Sequence, residues 1–164
     1  MICASNARTL ASEYSIEDLI DMQAGRVRYD VIGLGETRRR NPFNAIYDIG
    51  EELFLGTCDS RGVCGVGVLV NTSMSMNINS FEQLTTRIGR LRLKISGSIQ
   101  TLTIFVVYAS TSNDDEGRRS RSVLIGLGEL QRRRPYIFTV IVGDSNAKTG
   151  SRDCPRKATL DHTD

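Results

Sequence analysis

Cys-x-x-Cys pairs are missing from this 164-residue sequence and it has one histidine, so a Cys/His zinc site has little to be built from. The four cysteines, Cys3, Cys58, Cys64 and Cys154, read as reduced thiols of an intracellular protein, nuclear or cytoplasmic. No apolar run approaches the roughly 18 to 20 residues that span a bilayer. The longest, Leu102 to Ala109 and Tyr136 to Val142, suit strands instead. The start of the chain places Ser5, Asn6 and Arg8 where a secretory signal needs an apolar stretch, so the sequence reads as neither secreted nor membrane-bound. Repeats, low-complexity tracts and proline-rich linkers are absent too, and Pro42, Pro135 and Pro155 stand as turn or boundary residues.

Motifs for organic cofactors are also lacking. Gly33-Leu34-Gly35 and Gly65-Val66-Gly67 miss the third glycine of a dinucleotide fingerprint and read as bends or bulges in strands. The segment Val142 to Thr149 ends like a phosphate-binding loop, but Val142 and Ala147 stand where that loop needs glycine, and the Asp144 carboxylate would repel a phosphate. The histidine, His162, sits near the end of the chain, where a packed shell to hold a general base is rare.

With 40% hydrophobic and 24% charged residues, the chain has the balance of one soluble globular domain. We expect that domain over residues 1–150 and an irregular tail over 151–164. The net charge is only +2 and predicts no partner, but among the 21 basic residues only Lys94, Lys148 and Lys157 are lysines. The arginines gather in Arg38-Arg39-Arg40, Arg118-Arg119-Ser120-Arg121 and Arg132-Arg133-Arg134. A planar guanidinium pairs with phosphate in bidentate fashion, so phosphate or nucleic-acid contact is one reading. Solvated basic turns offset by Asp114-Asp115-Glu116 and Glu51-Glu52 are the other.

Hydrophobic spacing predicts a mixed α/β domain. Ser15-Ile16-Glu17-Asp18 forms a capping box for a helix from Ser15 to Ala24, stopped by Gly25. A second helix is expected after Asn113 to Glu116, with Val123, Leu124, Leu127 and Leu130 near one face. Short branched segments predict strands at Val31–Leu34, Val66–Val70, Leu91–Ile95, Leu102–Tyr108 and Ile137–Val142.

Three of those strands run out into residues able to bind metal or phosphate: Glu36 after the first, Tyr108 at the end of the fourth, and Asp144 and Asn146 after the fifth. Sheet enzymes place catalytic groups where strands emerge, because the sheet fixes the side chain and the loop leaves room for substrate. Glu36, Asp144 and Asn146 offer hard oxygen ligands or polar donors of the kind magnesium accepts while keeping several waters. Taken singly, each also suits ordinary turn chemistry.

Their order is more specific. Asn6-Ala7-Arg8-Thr9-Leu10, Gly35-Glu36-Thr37-Arg38, Val107-Tyr108-Ala109 and Gly143-Asp144-Ser145-Asn146-Ala147-Lys148 resemble, in sequence, the endonuclease/exonuclease/phosphatase superfamily. The likeness runs from Asn6 to about Gly150 and most resembles the apurinic-type endonuclease domain of non-LTR retrotransposons. It implies mixed sheets of a four-layer α/β sandwich of the DNase I-like kind, truncated at the C-terminus. It further implies hydrolysis of DNA phosphodiesters with Mg2+, or Mn2+, as cofactor and DNA as partner. In this resemblance Glu36 ligates the metal, Asn6 helps place metal and phosphate, Tyr108 and Asn146 stabilise the phosphate, and Asp144 orients or activates the attacking water. Arg38, Arg39 and Arg40 would grip the DNA backbone.

The sequence departs from the family pattern at Ser110, where proline is usual, and at Ser145, where an apolar residue is usual. The family's later strands and terminal Ser-Asp-His have no counterpart, which implies an incomplete domain, weakly active or inactive. A noncatalytic nucleic-acid- or protein-binding remnant and a phosphatase acting on a small phosphoester are the alternative expectations.

Overall fold

The structure is a computed structural model that describes residues 1–7, 28–47, 50–95, 97, 101–109, 125 and 138–145. Among these residues, nine strands form two sheets. The first contains β1 (Ile2–Asn6), β2 (Val31–Gly35), β3 (Phe43–Ile46), β4 (Glu52–Leu55) and β5 (Val66–Val70), in the order β1-β2-β5-β4-β3. The second contains β6 (Ile78–Thr85), β7 (Ile88–Lys94), β8 (Thr101–Ala109) and β9 (Phe138–Ser145), in that order. One helical turn, Thr72–Ser75, links the two.

All five predicted strands are present, with ends that shift by a few residues: β7 starts three residues earlier than expected and stops one short of Ile95, and Ile137 lies outside the described residues. The central β2 and β5 are buried along their whole length, as their nearly unbroken apolar sequences require. In β7 the alternation Leu91-Arg92-Leu93-Lys94 buries the leucines and leaves Lys94 exposed. The helices expected at Ser15–Ala24 and around Val123–Leu130 fall outside the described residues, apart from Ile125.

Two pairings are parallel, β1 with β2 and β8 with β9; the other pairings are antiparallel. Parallel neighbours need crossover connections rather than hairpins. In each parallel pair both strands therefore end at the same edge.

The sheets pack face to face. Val31, Val66, Val68 and Val70 of the first meet Leu91, Leu93, Ile104, Val106 and Tyr108 of the second in one buried cluster. The opposite face of the first sheet buries Ile32, Leu34, Leu53, Leu55 and Leu69 with Tyr29. The opposite face of the second buries Ile88, Phe105 and Val107.

Gly33 and Gly35 mark neither bends nor bulges, because β2 keeps unbroken register with β5. A Cβ on Gly33 would lie 3.1 Å from Val106 Cγ2 and 3.2 Å from Val142 Cγ2, and one on Gly35 would lie 3.2 Å from Tyr108 Cδ2. Glycine here lets the second sheet approach the first. Bulges occur instead in β6, where register shifts between Ile78 and Ser80 and between Gln83 and Thr85.

Below the first sheet, the Tyr29 hydroxyl donates to the Glu51 carboxylate, with both residues buried. Burial, the hydrogen bond to Glu51 and the nearby negative charge raise the Tyr29 phenol far above its ordinary range. The unfolded chain therefore loses this proton first as pH rises. The contribution is intact below about pH 10 and falls above it by up to about 1.4 kcal/mol per pH unit. Urea midpoints measured across that range should drop more steeply for the wild type than for Tyr29→Phe.

No helix among the described residues is long and apolar enough to cross a membrane. Among the described residues, Cys3, Cys58 and Cys64 form no disulfide.

Candidate active site

Because β1 and β2 run parallel in the register Asn6↔Gly35, their ends deliver Asn6 and the following Glu36 to one edge of the first sheet. The parallel pair β8 and β9, in the register Tyr108↔Asp144, ends at the matching edge of the second. Tyr108 lies on the inner face and rests over Gly35, one residue before Glu36. Packing of the sheets thus joins groups that are far apart in sequence.

Glu36 is the hub. Its Oε2 accepts from Asn6 Nδ2 at 3.2 Å and its Oε1 accepts from the Tyr108 hydroxyl at 2.5 Å. The Glu36 side chain is 12% exposed, and Arg38 Nη2 lies 4.0 Å from Oε1. A carboxylate largely out of water, oriented by an amide and a phenol and faced by one guanidinium, is a preorganised electrostatic centre.

The backbone that presents it is strained. Glu36 and Arg38 both have left-handed φ, 59° and 52°, as does Cys64 at 72°. Each such non-glycine residue costs about 1 to 3 kcal/mol and persists only where its surroundings dictate it. Here the loop after β4 does so: the Thr37 N–H donates to the Gly65 carbonyl (3.2 Å), the Arg38 N–H to the Cys64 carbonyl (3.0 Å), and the Cys58 N–H to the Arg39 carbonyl (2.7 Å). Thr37 is fully buried between the strained pair.

Asp59 shapes that loop. Its Oδ1 accepts from the backbone N–H groups of Arg61 (3.0 Å) and Val63 (2.8 Å), and its Oδ2 from Arg61 Nε (3.3 Å) and Nη2 (3.2 Å). Burial pushes the Asp59 carboxyl up, but the Val63 N–H and the Arg61 guanidinium and N–H outweigh it and hold the carboxyl below its ordinary range.

Of the expected site residues, Asn6, Glu36 and Tyr108 come together. Asp144 joins them at the level of the backbone, opposite Tyr108, and Asn146 lies outside the described residues. The three arginines diverge. Arg38 turns to Glu36, Arg39 stacks on Phe43 with its guanidinium carbon 4.4 Å from the ring centre, and Arg40 is exposed. Among the described residues, buried Arg38 Nε and Arg39 Nη1 have no hydrogen-bond partner. Sequence reasoning passed over Asp59, and read Thr37 only as part of a motif and Gly65 only as a bend or bulge. The Asp59-Ser60-Arg61-Gly62 turn signal was available for the first; nothing in sequence announces the loop contact of the other two.

The donor set suits a hard divalent cation. Among the described residues no three His, Cys, Asp or Glu side chains lie close enough to hold a metal ion. A cation here would be held by the Glu36 carboxylate with retained waters, as magnesium commonly is.

No protein-family model and no curated protein sequence matches the chain. Solved structures do. A humanized TDP2 from D. rerio superposes with a TM-score of 0.56 at 16% identity, covering 88% of this chain and 61% of that one. The endonuclease domain of TRAS1, a telomere-specific non-LTR retrotransposon, gives 0.55 at 15% identity, covering 90% and 61%. The 3′ phosphatase NExo from Neisseria, bound to a product DNA hairpin, gives 0.58 at 14% identity, covering 87% and 56%. The chain thus spans about three fifths of the length of these structures. Two mixed sheets packed face to face, with parallel strand pairs converging on one edge, give this chain a DNase I-like fold.

Proposed function

We propose that this chain is a magnesium-dependent hydrolase of DNA phosphodiester bonds, of the retroelement endonuclease type. The observation that carries it is the convergence of Asn6, Glu36 and Tyr108, from three strand ends in two sheets, on one mostly buried carboxylate. Glu36 would hold the metal, and Asn6 and Tyr108 orient both of its oxygens in advance. A bound divalent cation supplies charge neutralisation at the nonbridging phosphate oxygens. The Asn146 amide, and Tyr108 Oη once its single proton turns from Glu36 to the phosphate, are the neutral donors, and Asp144 orients the attacking water and accepts its proton. Arg40 and the guanidiniums beside it supply backbone contacts that position the strand without reading bases.

The test is nicking of supercoiled plasmid by the purified chain. Nicking that appears with Mg2+ or Mn2+ and vanishes with EDTA is the expected result; equal nicking in EDTA would overturn the metal assignment. Plasmid over a small phosphoester substrate tests DNA against the phosphatase alternative.

A second reading, binding without cleavage, draws on the run Arg38-Arg39-Arg40, of which Arg40 is exposed. It predicts DNA affinity that falls steeply with salt and is indifferent to EDTA, because phosphate contacts release counterions whether or not metal is held.

A further inference from the structure

Resting on the reading of Glu36 as the metal-holding carboxylate, we infer that Asp59 is a positioning residue that sets the Glu36 side chain through the loop between β4 and β5. That loop is anchored on both sides. Toward the second sheet, Gln83 accepts from the Thr57 N–H (2.8 Å) and donates to the Thr57 carbonyl (2.7 Å), and the Gly65 N–H donates to the Thr86 carbonyl (2.9 Å). Toward the first, it grips residues 37 to 39 by three backbone hydrogen bonds. The adjacent Arg87 carbonyl accepts from the Tyr108 N–H at 2.9 Å. One set of backbone bonds therefore connects the segment that carries Glu36 with the strand that carries its partner Tyr108.

Asp59 determines the shape of this bridge. Its carboxylate closes the turn at Arg61 and Val63, while its own N–H donates to the Val63 carbonyl (3.0 Å) and its carbonyl accepts from the Gly62 N–H (2.9 Å). Immediately after this turn come Cys64 and Gly65, whose carbonyls hold Thr37 and Arg38. At Gly65, with φ +92°, a Cβ would lie 2.4 Å from Thr37 Oγ1, so the two segments touch with no space between them. Any loosening of the turn is transmitted to the left-handed Glu36 and Arg38, which nothing else in their own sequence favours. The hydrogen bonds that Asp59 makes to Arg61, Gly62 and Val63 lie within its own turn, so it acts through the loop.

The experiment measures Mn2+ binding to the full chain by electron paramagnetic resonance for wild type, Asp59→Ala, Asp59→Asn and Glu36→Ala. Asp59→Ala should weaken Mn2+ binding about 10- to 100-fold, the usual loss when support behind a metal ligand is removed. Asp59→Asn keeps an acceptor for the Arg61 and Val63 N–H groups and should restore most of that loss, a rescue that a general loss of stability would not give. Asp59→Ala binding as tightly as wild type while Glu36→Ala binds weakly would overturn the inference and leave the function standing. Glu36→Ala binding as tightly as wild type would overturn the metal reading itself, and this inference with it. Should Asp59→Ala not fold, Asp59→Glu, which keeps the charge but displaces it by a methylene, is read the same way: weakened binding supports the inference and unchanged binding overturns it.

Discussion

Replacing Glu36 by alanine is expected to lower metal-dependent nicking about 10²- to 10³-fold, the scale of losing one preorganised electrostatic group from an active site. The effect is large because the carboxylate is both the ligand and the acceptor for Asn6 and Tyr108. Its removal takes away a negative charge and leaves two donors without the acceptor they were arranged around. Single-turnover nicking over a series of Mg2+ concentrations is the measurement. Glu36→Gln refines it by keeping the shape and one acceptor oxygen without the charge, so its rate should fall nearer to that of Glu36→Ala than to wild type. A Glu36→Ala rate equal to wild type would remove Glu36 from the chemistry.

The second large effect concerns stability. Ile104 is fully buried on β8 between the sheets, in the cluster with Val31, Val68 and Leu91. Ile104→Ala is expected to destabilise the chain by about 2 to 5 kcal/mol, from lost transfer free energy and from a cavity that two hydrogen-bonded sheets cannot close. Against a total of about 5 to 15 kcal/mol, that is enough to leave an appreciable unfolded fraction. Phe138→Ala, at a position 56% exposed, should change stability by no more than about 0.5 kcal/mol. Urea unfolding of both variants provides the comparison; equal losses would mean that the inter-sheet cluster is not the principal core.

Legibility in the sequence followed burial. β2 and β5 were readable because a strand covered on both faces must be apolar at nearly every position. β1, with the sequence ICASN, is mostly small and polar, and β3 and β4 have only four residues each, too few for a period to stand out. In β6 two register shifts break the alternation that would have marked it. The glycines of β2 misled for a related reason. A glycine within a strand can signal a bulge or a close approach, and only the opposing Val106, Val142 and Tyr108 distinguish them.

Strand periodicity and motif order are local properties of the chain, and they were enough to read the sheet-rich α/β class and the central strands and to name Asn6, Glu36 and Tyr108 as site candidates. The tertiary structure alone decided that these three share one carboxylate, that Arg38 turns toward it while Arg39 stacks on Phe43, and that the Asp59 loop braces the strained Glu36 turn. Those relations are made by sheet packing and by backbone hydrogen bonds between distant segments. Backbone donors and acceptors are the same for nearly every residue type, so their pairing leaves almost no mark on the sequence.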